Sequence, residues 1–238
     1  MANVFYSPGA ERAELVKALF ARIAPHYDLI NDLQSFGLHR YWKQCLVRLG
    51  SPEVGAQVLD VCCGTGDLSL AFARSGASVI GLDFSGEMLR IAGRRKCTIQ
   101  KGRLNLVRAD GLRLPFSDHT FDLVTVGYGL RNLSNWEMGL EEMCRVAKPG
   151  GRLLVLDFGK PDNALWRRLY FSYLQFFVPW LGRVFCGDAN AYSYILESLQ
   201  HYPAQRGVAE KMHQMGLTHA QVINFLGGVM SINYGERR

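Results

Sequence analysis

The stretch Val58-Leu-Asp-Val-Cys-Cys-Gly-Thr-Gly-Asp67 constrains this chain more than any other. Val58–Val61 is a short apolar run of the kind that forms a buried strand, Gly64-Thr-Gly66 is a tight turn, and Leu68–Arg74 opens with helical periodicity. Strand, glycine turn and helix together make a nucleotide-type binding unit, in which glycine lets the backbone approach a ligand closely. Any sharp strand-to-helix connection also favours glycine, so the turn alone does not name a ligand.

The neighbouring charges do discriminate. The third glycine of a dinucleotide fingerprint is replaced by Ser69, and Asp60 and Asp67 crowd the turn. Carboxylates there would repel a pyrophosphate and attract a cofactor carrying an ammonium and a sulfonium. That pattern selects S-adenosylmethionine over NAD or ATP, with Asp60, Gly64 and Gly66 as candidate contacts. A second strand, Ala77–Leu82, ends in Asp83, placed to accept both ribose hydroxyls or to cap the helix that starts at Gly86. A third strand, Asn105–Ala109, ends in Asp110-Gly111. A carboxylate there can accept the adenine amino group, although taken alone Asp-Gly is a common turn. Three strands ending in acids favour the binding reading, because ligands of open α/β sheets gather outside the carboxyl ends.

Phe121–Val126 reads as a fourth strand that feeds Gly127-Tyr-Gly-Leu-Arg-Asn132, and Arg152–Phe158 as a fifth with Asp157 near its end. Arg131 is therefore either a catalytic cation or an ion-pair partner of Asp157. Lys148–Gly151 reads as a turn between the helix Asn135–Ala147 and the fifth strand. Ahead of the core, Glu11–Ala24 has helical spacing closed by Pro25, after a lead at Ser7-Pro8-Gly9. Tyr27–Trp42 then mixes aromatics with Asp28, Asn31 and His39. Such a mixture suits a cover over a cofactor pocket, or a surface hairpin packed through Tyr27 and Trp42. Ala164–Phe185 is aromatic-rich with Pro179 inside it, which suits a core, a greasy substrate pocket or a membrane-facing patch. Helices over Tyr192–Leu199 and Arg206–Met215 and two strands, Gln221–Leu226 and Val229–Tyr234, close the chain.

Composition enters as a bound. At 238 residues and 48% hydrophobic the chain can bury one α/β core with a small appendage. Its net charge of +6 comes without a long basic run or an aromatic RNA-binding signature, so nucleic acid is not an expected partner. The six cysteines (45, 62, 63, 97, 144 and 186) lack metal-ligand spacing and read as reduced thiols; no metal is expected. Cys63 beside the glycine turn reads as packing rather than as a nucleophile. With no signal peptide and no long apolar run, the expected location is cytoplasmic, with contact to an anionic membrane face left open.

These residues carry a resemblance. The chain resembles the ubiquinone/menaquinone biosynthesis C-methyltransferase family of class I S-adenosylmethionine-dependent methyltransferases. Its lid signature, Y-D-x-M-N-x2-[aliphatic]-S-x3-H-x2-W, is met by Tyr27-Asp28, Asn31, Leu33, Ser35, His39 and Trp42, with Ile30 in the methionine place. A second signature, around R-V-x-K-P-G-G, is met by Arg145-Val146 and Lys148–Gly151, departing at Ala147; Asp157 and Gly159 stand where the family often has Glu and Ser. Gly129–Asn132 and Gly227-Gly-Val229 also match.

The resemblance implies an α/β, Rossmann-like class I methyltransferase fold: a seven-stranded, mostly parallel sheet with helices on both faces and an antiparallel last strand. A helical lid over residues 1–50 would precede the methyltransferase domain at 51–238, with an aromatic-rich insertion at about 162–203. Cofactor contacts carried over by motif are Thr65, Asp83, Asp110 and Gly111. Gly127 stands where the family often has serine, so only its backbone can serve. Arg131 and Asn132 would face a quinone head group, Tyr27, Asp28 and His39 would belong to the lid, and Trp166–Phe185 would accommodate a prenyl tail. The implied partner is a prenylated quinol, with a homodimer and a peripheral membrane contact as further expectations. The implied reaction is methylation of an electron-rich ring carbon, with Arg131 stabilising a phenolate and Asn132 orienting it. Arg131 through water, His39, Tyr128 and bulk water are all open as the base. Naphthoquinol is the leading acceptor and benzoquinol the rival. A cofactor-binding protein without catalysis, and a methyltransferase for another small molecule or RNA, are the other readings.

Overall fold

The computed structural model describes residues 10–24, 27–96, 99, 101–186 and 190–238. The expected lead at Ser7-Pro8-Gly9, the stop at Pro25, Cys97 and the side chain of Cys186 lie outside the described residues. Seven strands form one sheet: β1 (Gln57–Val61), β2 (Ser78–Asp83), β3 (Arg103–Arg108), β4 (Phe121–Gly127), β5 (Ala147–Phe158), β6 (Thr218–Phe225) and β7 (Met230–Glu236). Their order is β3-β2-β1-β4-β5-β7-β6. The first five are parallel, and β7 runs antiparallel to both β5 and β6. The central strands are buried on both faces, with Val58, Leu59, Val61, Leu123, Val124 and Val126 all shielded from solvent. That explains their unbroken apolar runs.

Register decides where the site falls. Val61 pairs with Leu82 on one side and Val126 on the other, Asp83 pairs with Arg108, and Gly127 with Leu156. The residues that follow each strand therefore emerge along a single edge. The strand order reverses between β1 and β4, which opens a crevice between the loops that follow them.

Ten helices are described: α1 (Ala10–Ile23), α2 (Tyr27–Ser35), α3 (Leu38–Gly50), α4 (Asp67–Arg74), α5 (Gly86–Arg95), α6 (Trp136–Val146), α7 (Ala164–Ser172), α8 (Val178–Cys186), α9 (Asn190–His201) and α10 (Ala204–Gln214). A π-helical turn, Tyr173–Phe177, joins α7 to α8. Pro179 is the physical reason: it has no N–H to give and its ring would strike the carbonyl four residues back, and a widened turn absorbs both.

Three local expectations change. The helix after β2 is capped by Ser85, whose hydroxyl accepts from Met88 N at 3.3 Å, and not by Asp83. Lys148–Gly151 turns inside β5 rather than before it. Phe121 pairs with Ala147 and Leu123 with Arg152, so the four residues Lys148–Gly151 stand opposite Asp122 alone and the excess folds outward. The closing hairpin runs through a 3-10 turn at Leu226–Gly228, with strands longer than the apolar pattern suggests.

Candidate active site at the strand ends

Two cavities meet along the edge defined by the strand ends. The first lies over the loops after β1, β2, β3 and β4, and is lined by Gly64, Asp83, Asp110, Gly111, Gly127 and Asn132, among others. The second lies under α2, α3 and α7–α9, and its polar lining includes Gln34, His39 and Arg131. Tyr27 and Tyr128 line both. The first encloses about 120 Å³ and the second about 340 Å³, so the larger space lies on the aromatic side.

In the first cavity, backbone geometry comes from the glycine turn. Gly64 has φ +55°, and a Cβ built on it would meet nothing within 4 Å, so the turn presents bare backbone to open space. Its amide donates to Asp83 Oδ2 at 2.8 Å, and Ser85 N donates to Asp83 Oδ1 at 2.8 Å. A carboxylate has about four acceptor sites. The Phe84 amide also bonds this carboxylate, and the acceptor capacity left over is open to a hydroxyl such as a ribose's. Burial raises the Asp83 pKa, against the amides that hold its charge. Asp110 Oδ1 accepts from Leu112 N at 2.9 Å in a turn, leaving its second oxygen for a ligand. At Gly127 a Cβ would come within 2.6 Å of Leu68 Cδ1, so a side chain there needs Leu68 to shift.

Three expected contacts lie elsewhere. Asp60 is 1% exposed within β1 and accepts from Ser69 Oγ at 2.5 Å; burial raises its pKa to about 7. It sits behind the turn because its strand position points into the helix layer and not past the strand end. Thr65 is buried too, its hydroxyl donating to Asp28 Oδ1 at 2.9 Å. Gly66 turns the chain into α4 at φ +85°, against Ala92. None of the three lines the first cavity. Cys62 and Cys63 are thiols whose pKa burial pushes well up, which leaves them inert as nucleophiles.

Charge ties the turn to α2, α3 and α5. Lys43 of α3 reaches Asp67 Oδ2 at 2.7 Å, and Arg95 of α5 reaches Asp67 Oδ1 at 2.6 Å and Asp28 Oδ2 at 3.4 Å. Burial alone would raise the Asp67 pKa, but Lys43 and Arg95 outweigh it and hold it at about 2. Sequence reasoning placed Asp67 beside the cofactor charge and missed its partners, which lie 24 and 28 residues away.

In the second cavity, Arg131 and Asp157 form an ion pair at 2.7 Å with side chains 2% and 3% exposed. The Arg131 guanidinium also donates to Tyr128 O at 2.8 Å and lies 4.6 Å from the Phe158 ring centroid. Burial works against its charge, but Asp157, with Tyr194 and Tyr27, outweighs it and the pKa stays raised. Asn132, expected beside Arg131, instead lines the first cavity, with Nδ2 on Tyr128 O at 3.2 Å and Oδ1 buried without a partner. The 3-10 turn Leu130–Asn132 sends the two side chains to opposite sides. Tyr128 stands between the cavities at φ +63°, a strained value for a side chain of its size, with its hydroxyl buried and unpartnered. Burial pushes that hydroxyl far up, so Tyr128 is a hydrogen-bonding group and not a base.

The arrangement fits S-adenosylmethionine in the first cavity. Bare backbone at Gly64, the remaining acceptor capacity of Asp83, Asp110 beyond it and the orphaned Asn132 Oδ1 suit a cationic, adenosine-bearing ligand. The second cavity offers one buried cation in aromatic walls, facing the first across Tyr27 and Tyr128.

Comparison with known proteins agrees with this geometry. The model of the ubiE/COQ5 methyltransferase family matches residues 9–237. A ubiquinone/menaquinone biosynthesis C-methyltransferase UbiE of Teredinibacter turnerae is 39% identical over 96% of this chain and 93% of its own length. The protein of the same name from Pseudomonas fluorescens is 38% identical over 96% and 91%. Among solved structures, a SAM-dependent methyltransferase from Aquifex aeolicus superposes with a TM-score of 0.61 at 17% identity, covering 89% of this chain and 98% of that one, which speaks to the fold. The chain belongs to the ubiE/COQ5 methyltransferase family, and is an enzyme that uses S-adenosylmethionine as its methyl donor.

Proposed function

We propose that this enzyme methylates a ring carbon of a reduced, prenylated naphthoquinol, a demethylmenaquinol or demethylphylloquinol. The observation that carries the reading is the junction of the two cavities at Tyr27 and Tyr128, with a buried Arg131 on the acceptor side. Bound in the first cavity, S-adenosylmethionine supplies an electrophilic methyl carbon. Arg131 stabilises negative charge on a ring oxygen, which pushes electron density onto the adjacent carbon. Tyr27 and Tyr128 orient the ring, and the aromatic walls exclude water and hold carbon and methyl at attack distance. Asp157, one methylene shorter than the glutamate that the family often carries, holds Arg131 close to β5 and leaves breadth for a fused two-ring head. At Gly159 a Cβ would come 2.2 Å from Gly228 O, so the serine of other members has no room here.

Methylation of the benzoquinol precursor of ubiquinone is the second reading, favoured by the names of the relatives, which cover both pathways. Transfer from labelled S-adenosylmethionine to the two reduced quinols side by side, with the oxidised quinones as controls, separates them. Label in the naphthoquinol alone supports the first reading and label in both makes the enzyme dual. Label in neither, with the cofactor bound, overturns the quinol assignment.

Delivery of such an acceptor calls for a lipid surface. Residues 35–50 and 164–186, which flank the mouth of the second cavity, hold six cations and no carboxylate. The rest of the chain has 21 cations against 21 carboxylates, so the whole net charge of +6 resides in these two segments. Phe36, Leu169, Phe176 and Trp180 are exposed there. We infer peripheral contact with an anionic membrane. No helix among the described residues is long and apolar enough to cross one. Co-sedimentation with anionic but not with neutral vesicles, weakened in Phe176→Ser/Trp180→Ser, is the expected result; equal recovery from both lipids overturns it.

A further inference from the structure

One imidazole nitrogen beside the acceptor cavity has no hydrogen-bond partner. His39 is 4% exposed and stands between that cavity and a third one lined by Asp28, Arg40, Lys43 and Asp67 among others. Its Nε2 lies 2.8 Å from Asp32 Oδ1. Asp32 is itself gripped by Arg40, with Nε on Oδ1 at 2.6 Å and a terminal nitrogen on Oδ2 at 2.6 Å. Arg40, foremost, holds Asp32 well below the usual carboxylate range, so this carboxylate is ionised and can only accept. The hydrogen between the pair therefore sits on Nε2. The neutral ring then carries its lone pair on Nδ1, which is buried and has no hydrogen-bond partner.

The other groups that line this cavity cannot take a proton near neutrality. Arg131 is held protonated by Asp157. Burial raises the pKa of Tyr27, Tyr128, Tyr170, Tyr173 and Tyr194, which keeps each a phenol. Gln34 Oε1 is also buried without a partner, and can accept a hydrogen bond but not a proton. An orphaned acceptor pair, one basic and one neutral, matches a ligand that brings hydroxyl donors.

We propose that His39 takes the ring-hydroxyl proton of the bound quinol at Nδ1, and that Asp32 is the residue that positions it. The assignment rests on the quinol reading above and names its general base. The step balances. The hydroxyl proton passes to Nδ1 as the ring carbon takes the methyl group and the carbon–sulfur bond breaks. The ring carbon then gives its hydrogen to water, the electron pair restores aromaticity, and Nδ1 returns its proton to the ring oxygen. One proton is released per turnover, and His39 ends neutral. The same acceptor pair disfavours the oxidised ring, whose carbonyl oxygens have no hydrogen to offer Nδ1 and Gln34 Oε1.

The groups facing His39 set its range. Asp32 lies on α2, Arg40 and Lys43 on α3, Asp67 on α4, and Arg131 across the cavity. Burial first, then Lys43, lower its pKa below 6.5 against the pull of Asp32. Turnover of the wild type should accordingly rise with pH through a midpoint below 6.5 and run flat through neutrality.

The test uses the full chain, the reduced acceptor that the wild type methylates, and two variants, His39→Gln and Asp32→Asn. Cofactor affinity within about threefold of the wild type, by calorimetry, verifies the fold of each. His39→Gln should lower kcat at neutral pH by about 100-fold or more, lose the acidic limb, and recover toward pH 10 as the quinol ionises unaided. Asp32→Asn should keep the limb but move its midpoint to lower pH, whereas a merely structural loss would scale the profile without moving it. Nitrogen-15 imidazole spectra of the free enzyme should show the proton on Nε2, and a proton on Nδ1 would sink the assignment. A wild type that methylates the quinol beside a His39→Gln variant with the same rate and pH profile overturns the inference alone. A wild type that methylates no quinol overturns the function on which it rests.

Discussion

The two cavities that meet at Tyr128 are built by different means. The cofactor side is made by strand ends: Gly64 follows β1, Asp83 closes β2, Asp110 follows β3 and Gly127 closes β4, all brought to one edge by parallel register. Its functional atoms are largely backbone amides and carboxylates that those amides hold. The acceptor side is made by side chains from α2, α3, the β4 loop, α7–α9 and the closing hairpin, which the chain collects over some two hundred residues. Local geometry thus serves the invariable ligand, and long-range packing serves the ligand whose shape must be selected.

Removal of a single group should therefore cost more on the acceptor side. Arg131→Ala strips a partner from Asp157 in a site where both side chains are nearly sealed, and should destabilise the fold by about 3–5 kcal/mol as well as stop turnover. Arg131→Met/Asp157→Leu should recover most of that stability and none of the activity, which separates the structural from the chemical part of the pair. Chemical denaturation measures the first and label transfer the second. An Arg131→Ala enzyme within 1 kcal/mol of the wild type would mean that the pair is not buried as seen.

The same contrast governs what the sequence could tell. Strands β1 to β5, the glycine turn and the acids at Asp83 and Asp110 are legible because strand period, turn chemistry and strand-end position all act within a dozen residues. Asp60 was legible as a carboxylate but not as a buried one, since a strand end and a strand interior differ by one position and opposite faces. The Asp32–His39 pair carried a usable signal: seven residues apart across the left-handed Gly37 turn that breaks α2 from α3. Arg131–Asp157 was legible as one of two readings because both residues follow or close neighbouring strand ends, whereas Lys43–Asp67 has no such local mark and only the fold joins it.

Asp60 tests the cofactor side from behind. Its pKa rises on folding from 3.8 to about 7, so its contribution to stability is fully present below about pH 4 and is lost as pH climbs through 7. Relative to Asp60→Asn, whose amide oxygen can still accept from Ser69, the wild type should lose roughly 3–4 kcal/mol between those limits. Denaturation curves at pH 4, 5.5 and 7 read the slope directly. A constant difference between the two proteins would place Asp60 in water.

Asp83→Ala probes the first cavity at its lip. Loss of the hydroxyl acceptor and of the brace on Gly64 N should weaken S-adenosylmethionine by about 1–3 kcal/mol in calorimetry. The quinol KM should stay unchanged, since Asp83 does not line the second cavity. A KM that moved in step with cofactor affinity would show that the two cavities are not independent.

The smallest effect falls where the two regions touch. Asp28, on the cover helix α2, accepts from Thr65 of the glycine turn and pairs with Arg95 at 3.4 Å. Asp28→Asn keeps an oxygen for the Thr65 hydroxyl and removes only the charge. Because Arg95 is 37% and Asp28 41% exposed, solvent screens the pair and the cost should be about 0.5 kcal/mol. The cover should then open more often. Cofactor release, followed by stopped-flow fluorescence, should quicken by about twofold at low salt and match the wild type near 1 M salt, where the Debye length is about 3 Å. A difference that survives high salt would mean that Asp28 acts through shape and not through charge, and that the cover is held by the aromatic packing of the acceptor side instead.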